Sequence, residues 1–508
     1  MEALSGRWAG VAAAVLVSAL HVALGANNLG LSLIAAAAEG CLLAAIASRG
    51  WAGVELRARA GWLAAFGLLL AGLIFTAALP LASNVGPRWL ARLAASLPPI
   101  ADRQAAFVEI LKLLGLACLF TCGLLMGGSL RRYRVMATWL LILAGGLALY
   151  GLLANALWPD RAIGVQRITA HGRLTATFVS ANTAATLFGC MAVLVCGFLA
   201  RRGRSRRLLS RSILDRKPVA AALLVLFALS LVFTASRMGL AASCLALAAM
   251  FVLRGGPSLL GRIRPSVLLL GGLVLIAAGL LYGGSLARRL PELSTDLGYR
   301  LRLIQTHYAF FTERPWFGWG LGSFRSLNNQ AINGENFSIF YDVGAAHNVY
   351  VQWLSQAGIV GAGLMWAIVL LAVVKIVLGA IRPGETGDHL AALAAVMLLF
   401  AIHGLSDYAL EVPSMSALMS LLLGGGVGLA SRKAPTPRER AGSAEGLKQE
   451  LGAAQGAGAD QELHFGDAVA VDIPIDGHEA VPSRRRTQLA GRAGEGGGAD
   501  EAERLISS

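Results

Sequence analysis

The residues of this sequence that could do chemistry are one histidine and several arginines at the ends of long apolar runs. Arg237 lies in Thr234-Ala-Ser-Arg-Met-Gly239, a short turn between two such runs, and His347 lies in Ala345-Ala-His-Asn-Val-Tyr350, just before another. A guanidinium stays charged at any working pH and binds phosphate oxygens through two parallel hydrogen bonds. A histidine can take a proton from a hydroxyl group, although a lone histidine is more often structural.

Two polar segments, 158–181 and 285–356, contain nine arginines and no lysine. These arginines are Arg161, Arg167, Arg173, Arg288, Arg289, Arg300, Arg302, Arg314 and Arg325. Any single one can be a solvated surface charge, but an all-arginine surface beside a membrane suits a lipid-linked diphosphate. Arg237 differs, because a charge between two apolar runs is costly and is normally paired or functional unless its side chain reaches the interface.

Lipid is the solvent for most of this chain. Of its 508 residues 56% are hydrophobic and 14% are charged, whereas a soluble chain carries about a quarter charged residues. Twelve apolar runs are long enough, or nearly so, to cross a hydrocarbon core of about 30 Å as helices. They lie near 9–24, 30–47, 62–82, 106–129, 136–157, 182–200, 219–235, 238–253, 267–284, 357–379, 390–404 and 414–431. The predicted fold is therefore an all-α polytopic membrane protein with about 12 transmembrane helices.

The short basic loops predict the orientation of these helices. With a cytoplasmic N-terminus every inside loop carries Arg or Lys, so both termini are predicted to be cytoplasmic. The transmembrane domain is then 1–431, and it includes a large periplasmic segment, 285–356. This segment is predicted to be partly helical because apolar residues recur in it at helical spacing: Leu301, Ile304, Tyr308 and Phe311. Residues 432–508, rich in Gly, Ala and Glu, are predicted to form a disordered cytoplasmic tail.

Charge and cysteine usage exclude several functions. The net charge is +15, and the tail contributes −3 (10 basic and 13 acidic residues), which leaves +18 for 1–431. Basic loops that fix the orientation of the helices, and basic sites for anionic lipid head groups, explain this excess of positive charge, so no nucleic-acid partner is expected. The six cysteines all lie in apolar runs, which argues against a disulfide framework or a zinc site. Glu109 and Lys112, three residues apart in one run, are predicted to pair.

Five motifs resemble those of the O-antigen ligase and polymerase superfamily, in order along the chain. They are Arg173-Leu-Thr-Ala-Thr-Phe178 with Asn182; Ser236-Arg237-Met-Gly239; Arg300 or Arg302 running on to Pro315-Trp-Phe-Gly-Trp-Gly320; His347-Asn348 with Gln352, Gly358 and Gly361; and, more weakly, His403 through Asp407 to Pro413. The resemblance covers roughly residues 130–430. One position departs from the pattern, since Gln356 stands where the family often has an acidic residue.

The resemblance implies a bacterial inner-membrane enzyme that moves a glycan from undecaprenyl diphosphate to a hydroxyl acceptor in the periplasm. Such enzymes invert the anomeric centre and use no metal or other cofactor. In this sequence the implied diphosphate-binding residues are Arg237 and Arg173, with Arg300 or Arg302 assisting. The implied catalytic residues are His347, as general base or positioning group for the acceptor hydroxyl, and Arg237. The outside segments offer no Asp-x-Asp motif or His/Glu cluster for a metal, and arginines can stabilise the leaving diphosphate instead.

Several alternatives stay open at this point. A ligase would pass the glycan to lipid A-core and a polymerase would pass it to a second lipid-linked repeat, in lipopolysaccharide or exopolysaccharide synthesis; a protein acceptor is a third form. A transporter of an anion or of the lipid-linked glycan is a different class, which favours repeated halves and ionisable residues at mid-membrane. A non-enzymatic assembly scaffold is the remaining alternative.

Overall fold

The computed structural model describes residues 2–84, 87–163, 165–166, 172–200, 212–255 and 293–432. The described residues are helical apart from loops and one two-residue antiparallel hairpin, β1 (Arg161–Ala162) with β2 (Val165–Gln166). The α-helices are α1 (Glu2–Val22), α2 (Leu29–Ala47), α3 (Gly50–Ala58), α4 (Ala60–Ala78), α5 (Arg88–Ala95), α6 (Arg103–Gly127), α7 (Leu130–Leu157), α8 (Ala181–Leu199), α9 (Lys217–Phe233), α10 (Arg237–Leu253), α11 (Leu293–Glu313), α12 (Phe324–Ala331), α13 (Phe337–Phe340), α14 (Val349–Ala380), α15 (Glu385–His403) and α16 (Pro413–Ala430). Short 3-10 helices lie at Leu24–Ala26, Leu79–Asn84, Ile213–Asp215 and Ala409–Glu411.

The all-α membrane fold predicted from the sequence is confirmed. Eight helices in the described part of the chain are long and apolar enough to cross a membrane, namely α2, α4, α6, α7, α8, α14, α15 and α16. Three shorter apolar helices, α1, α9 and α10, match three further predicted spans. The predicted span 267–284 lies outside the described residues, as do Arg167, Arg288, Arg289 and the tail from 433 on, so the number twelve stays a prediction.

Glycines allow the closest helix packing in the bundle. Gly123 and Gly127 on α6 face Gly424 and Gly428 on α16, and each pair has the spacing of a small-xxx-small motif. A Cβ added to Gly123 would overlap the carbonyl oxygen of Leu421, and one added to Gly424 would meet a backbone carbonyl of α6 in the same way. The two backbones are therefore in direct contact, and only glycine fits at these positions.

Arginines at one end of the bundle are held by carboxylates. Arg132 pairs with Glu55, Arg134 lies 3.1 Å from Glu385, and Arg254 Nε donates to Asp388 Oδ1 at 2.7 Å. All three arginines lie in or next to short basic loops, which the sequence predicts to be cytoplasmic. Their carboxylate partners lie on other helices, so these ion pairs also connect neighbouring helices of the bundle.

α14 is sharply kinked at Gly358, where the loop that follows α11 packs against it. Gly358 has φ 62°, and a Cβ there would overlap the backbone of Trp316. Trp319 N donates to Ser355 O at 3.0 Å, and Ile359 N donates to Pro315 O at 2.8 Å. The Pro315–Gly320 motif therefore fixes α11 against α14. Gln356, which departs from the family pattern, uses its side-chain oxygen to accept from Gly322 N at 2.9 Å.

The segment 293–356 is partly helical, as predicted, with α11, α12 and α13 in it. Leu301 is 45% exposed and Tyr308 is 51% exposed, whereas Leu303 and His307 are buried. Of the four apolar residues whose spacing predicted the helix, Ile304 and Phe311 are half-buried and Leu301 and Tyr308 are exposed. Helical spacing predicts the helix but not which of its faces is buried.

Candidate functional site

The candidate site forms where three polar turns and the starts of α8, α10 and α14 come together at one end of the bundle. Leu174 N donates to Phe233 O at 2.9 Å, which ties the segment before α8 to the end of α9. Val349 N donates to Gly404 O at 2.9 Å, which ties the start of α14 to the end of α15. These backbone contacts join two pairs of segments, and the hydrogen bond from Asn182 to Asp407, which are 225 residues apart, connects the two pairs.

Arg173 connects two of the turns. Its Nε donates to Thr234 O at 2.8 Å, and its guanidinium also donates to Asn182 Oδ1 at 3.2 Å. Asn182 lies in the first turn of α8, whose N-cap Ser180 accepts from Asn182 N at 3.2 Å. Arg173 is half-buried in this position. The contacts hold its guanidinium beside the turn that leads into Arg237.

Asp407 links this arginine to the histidine. It is fully buried, and its Oδ1 accepts from Asn182 Nδ2 at 3.3 Å and lies 3.7 Å from His347 Nδ1. Burial alone would raise the pKa of the Asp407 carboxyl, but the His347 imidazole, His403 and the Arg300 guanidinium hold it below its usual value. A charged carboxylate therefore lies behind the histidine ring.

His347 is held in an unusual backbone conformation. Its φ is 55°, in the left-handed region that histidine enters only infrequently, and its ring meets Tyr408 edge-to-face at 4.8 Å. The next residue, Asn348, caps α14 by accepting from Val351 N at 3.0 Å and also donates to Leu405 O at 3.0 Å. Ala176 and Ala235 in the two neighbouring turns also have φ near 50°. Such strained residues cluster at functional sites.

Arg237 is the first residue of α10 and is half-buried. The preceding Ser236 caps the helix by accepting from Gly239 N at 3.2 Å. A Cβ on Gly239 would overlap Ala185 of α8, so this glycine lets the starts of α8 and α10 pack closely. The positive ends of both helix dipoles then add to the positive charge of the arginines.

The structure places Arg300 and Arg302, the two alternatives on α11, in different surroundings. Arg300 donates to Ser406 O at 2.6 Å, next to Asp407, whereas Arg302 is exposed. Residues two apart on a helix point to nearly opposite sides, so only one of them can face the site. Arg314, another arginine of the same segment, stacks on Trp319 at 3.6 Å and donates to Pro99 O at 2.6 Å. That arginine has a structural role.

The sequence pointed to His347 and Arg173 but gave Asp407 no role, and it did not show that Asn182 joins them. Asp407 lay in the weakest of the motifs, and its complete burial has no signal in the sequence. His403, one turn before it, is also buried and shares a hydrogen bond of 2.6 Å with Thr186 Oγ1 on α8. This bond fixes the end of α15, from which the Asp407 loop begins.

A second ionisable group lies four residues after Asp407. Glu411 faces the predicted pair Glu109 and Lys112 near the start of α6, and that pair is formed, with Nζ and Oε1 2.6 Å apart. Burial, and then the Glu109 carboxylate, raise the pKa of Glu411 to about 7, while Lys112 and Trp353 oppose the rise. In the described part of the chain no three His, Cys, Asp or Glu side chains are grouped to hold a metal ion.

Residues 222–367 match the family model described as O-antigen ligase. No curated protein matches the chain significantly. The matched segment contains Arg237, Arg300 and His347, while Arg173 and Asp407 lie on either side of it. The match supports the resemblance to the O-antigen ligase superfamily that the motifs indicated.

Proposed function

We propose that this chain, whose residues 222–367 match the family model described as O-antigen ligase, transfers a glycan from a polyprenyl diphosphate, undecaprenyl diphosphate in bacteria, to a hydroxyl acceptor. The reaction takes place on the periplasmic side of the inner membrane, and both chain termini are cytoplasmic. One observation carries the proposal: Arg173, Asn182, Asp407 and His347 form a continuous chain of contacts, with steps of 3.2, 3.3 and 3.7 Å. Cationic groups and a candidate base from distant motifs thereby share one site.

The arginines hold the donor diphosphate. Arg237 and Arg173 bind its oxygens, and Arg300 assists from α11; Arg302 is exposed and is left out of the proposal. As the bond between the anomeric carbon and the diphosphate breaks, negative charge develops on the leaving group. Guanidinium groups already in place stabilise that charge without a metal ion. Their planar donor geometry matches two phosphate oxygens at once.

His347 acts on the acceptor. Its Nδ1 faces Asp407, so Nε2 is the ring nitrogen that takes the proton from the acceptor hydroxyl. The acceptor oxygen bonds to the anomeric carbon on the face opposite the diphosphate, and the polyprenyl diphosphate leaves with the bonding electron pair, which inverts the centre. Asp407 stabilises the imidazolium that forms, as a buried carboxylate does in other histidine-based catalysts.

His347→Ala tests this assignment. The purified variant, in lipid nanodiscs with lipid-linked glycan as donor, should lose transfer by about 10²–10⁴-fold, the usual contribution of a general base. Its thermal unfolding and its elution volume should match the wild type. His464→Ala, in the C-terminal segment that plays no part in the proposal, is the matched control and should be fully active. Wild-type turnover in His347→Ala would disprove the role of the histidine.

The acceptor distinguishes ligase from polymerase, because both use the same donor chemistry. We propose the ligase form, with lipid A-core as acceptor. Cell-surface polysaccharide from a deletion strain provides the test. Unmodified lipid A-core with free polymer indicates a ligase, whereas lipid carrying single repeats indicates a polymerase. Transfer by the purified protein in detergent, where no gradient exists, would exclude transport as the primary activity.

A further inference from the structure

A cavity of about 990 Å³ lies between α1 and α7, apart from the arginines and the histidine of the site. Its walls contain small residues, among them Ala19, Ala144 and Gly146, which leave room between the two helices. The lining is mostly apolar, and its polar groups gather at one end: Tyr150, Arg161, His21 and Thr177. The space is therefore a groove with a polar mouth and a hydrocarbon-like interior.

The groove follows the helix axis for a long distance. Its lining on α7 extends from Leu143 to Ala154 and on to Trp158 just after the helix, which at 1.5 Å per residue is about 22 Å. The hydrocarbon core of a bilayer is about 30 Å thick. Val15 and Val22 lie on the rim and are exposed, so the groove opens sideways to whatever surrounds the bundle. In a membrane, a lipid chain could enter it laterally.

One segment of the chain contributes to both the mouth of the groove and the candidate site. Thr177 lines the groove, and it follows Arg173 by four residues in the same segment. Its hydroxyl donates to His21 O at 2.7 Å, and the neighbouring Phe178 meets the His21 ring edge-to-face at 5.6 Å. One short stretch of chain thus forms a wall of the groove and also positions a site arginine.

We infer that this groove holds the first part of the donor's polyprenyl chain, an inference that rests on the proposed function. The occupant has one chain and an anionic head group, which suits a single groove with Arg161 at its mouth and Arg173 beyond it. Within a bilayer the chain gains little hydrophobic free energy by entering the groove, because lipid is equally apolar. The groove therefore contributes shape selection and orientation, and it places the diphosphate at the arginines.

Substitution of Gly146 tests the inference with little disturbance of packing. Gly146 is exposed on α7, lines the groove, and a Cβ there meets no atom within 4 Å. Gly146→Phe should fill the groove. Gly67 on α4 is the matched control, since it is also an exposed helix glycine with no atom within 4 Å of an added Cβ, and it does not line the groove.

The readout compares two donors that carry the same glycan. One has the full polyprenyl chain, and the other has a chain too short to extend along the groove. Gly146→Phe should raise KM for the long-chain donor by about tenfold, equivalent to about 1.4 kcal/mol, and leave the short-chain KM unchanged. Gly67→Phe should change neither value. An unchanged long-chain KM, or an equal loss with both donors, overturns the inference.

A binding experiment separates this inference from the proposed function. Polyprenyl diphosphate without a glycan, carrying a diazirine along its chain, is photolysed with the wild-type protein in nanodiscs. Labelling of α1 and α7 that is lost in Gly146→Phe supports the groove even if no transfer is ever observed. Labelling elsewhere overturns it. A diazirine-bearing phospholipid that labels the groove and is not displaced by excess polyprenyl diphosphate also overturns it.

Discussion

Replacing Asp407 by asparagine removes a buried negative charge 3.7 Å from His347 Nδ1 and keeps the size of the side chain. The new side-chain oxygen can still accept the hydrogen bond from Asn182 Nδ2, which spans 3.3 Å in the wild type. The loop between α15 and α16 should therefore keep its position. The change isolates the charge of Asp407 from its role in packing.

The size of the effect follows from the distance. At an effective dielectric constant of about 20, two unit charges 3.7 Å apart interact by about 4 kcal/mol. In the proposed mechanism this interaction exists only when His347 has taken the acceptor proton, so it stabilises the transition state and not the resting enzyme. A loss of about 4 kcal/mol corresponds to a decrease in kcat of about 10³-fold, at about 1.36 kcal/mol per tenfold.

Steady-state kinetics with saturating acceptor provide the assay. Asp407→Asn should lower kcat and leave the donor KM within a factor of about two, because the arginines are untouched. Asp342→Asn is the matched control: Asp342 is exposed, five residues before His347, and asparagine tolerates its φ of 53°. If Asp407→Asn keeps kcat within about threefold of wild type while it folds normally, the carboxylate does not assist the histidine and the reasoning is wrong.

Two further predictions concern the arginines and Glu411. Arg237→Lys should lower kcat by at least about tenfold, because an ammonium group cannot donate two parallel hydrogen bonds as the planar guanidinium does. Arg302→Lys is the control and should keep a kcat close to that of wild type; equal activity of the two variants would make Arg237 structural. Because the pKa of Glu411 is raised from 4.5 to about 7, its contribution to stability is complete below pH 4.5 and is lost as pH rises through 7. At pH 8 the free energy of unfolding of Glu411→Gln should therefore exceed that of wild type by at most about 3 kcal/mol, whereas at pH 4 the two should be equal. Calorimetry that shows no pH-dependent difference between them would refute the prediction.

The helices were predictable because lipid imposes long apolar runs, and these are visible in any window of the sequence. Which face of each helix is buried was less predictable. Leu301 and Tyr308 belong to the apolar pattern that predicts α11, yet both are exposed, whereas Leu303 and His307 of the same helix are buried. Helical spacing therefore predicts the element but does not give the face that packs on the protein.

The histidine and the arginines were predictable from residue type, but their connections were not. Asp407 could be identified only from its burial and from the convergence of α8, α14 and the end of α15. Nothing in the sequence separates Arg300 from Arg302, because their difference lies in the rotation of α11 about its axis. The rotation is set by tertiary contacts such as the bond from Arg300 to Ser406 O.

The placement of the candidate site at helix ends fits the proposed chemistry. Guanidinium groups and a carboxylate are costly inside hydrocarbon, yet in the proposed reaction the donor's polyprenyl chain stays in hydrocarbon. Arg237 at the start of α10 and His347 just before α14 satisfy both conditions, because each lies where a helix leaves the apolar region. The left-handed φ of 55° at His347 costs on the order of 1–3 kcal/mol, and the bonds of Asn348 and Val349 to the α15–α16 loop stabilise it. Position 348 is the N-cap of α14 and position 349 is its first residue, so His347 lies in the turn that leads into the helix, 3.7 Å from Asp407.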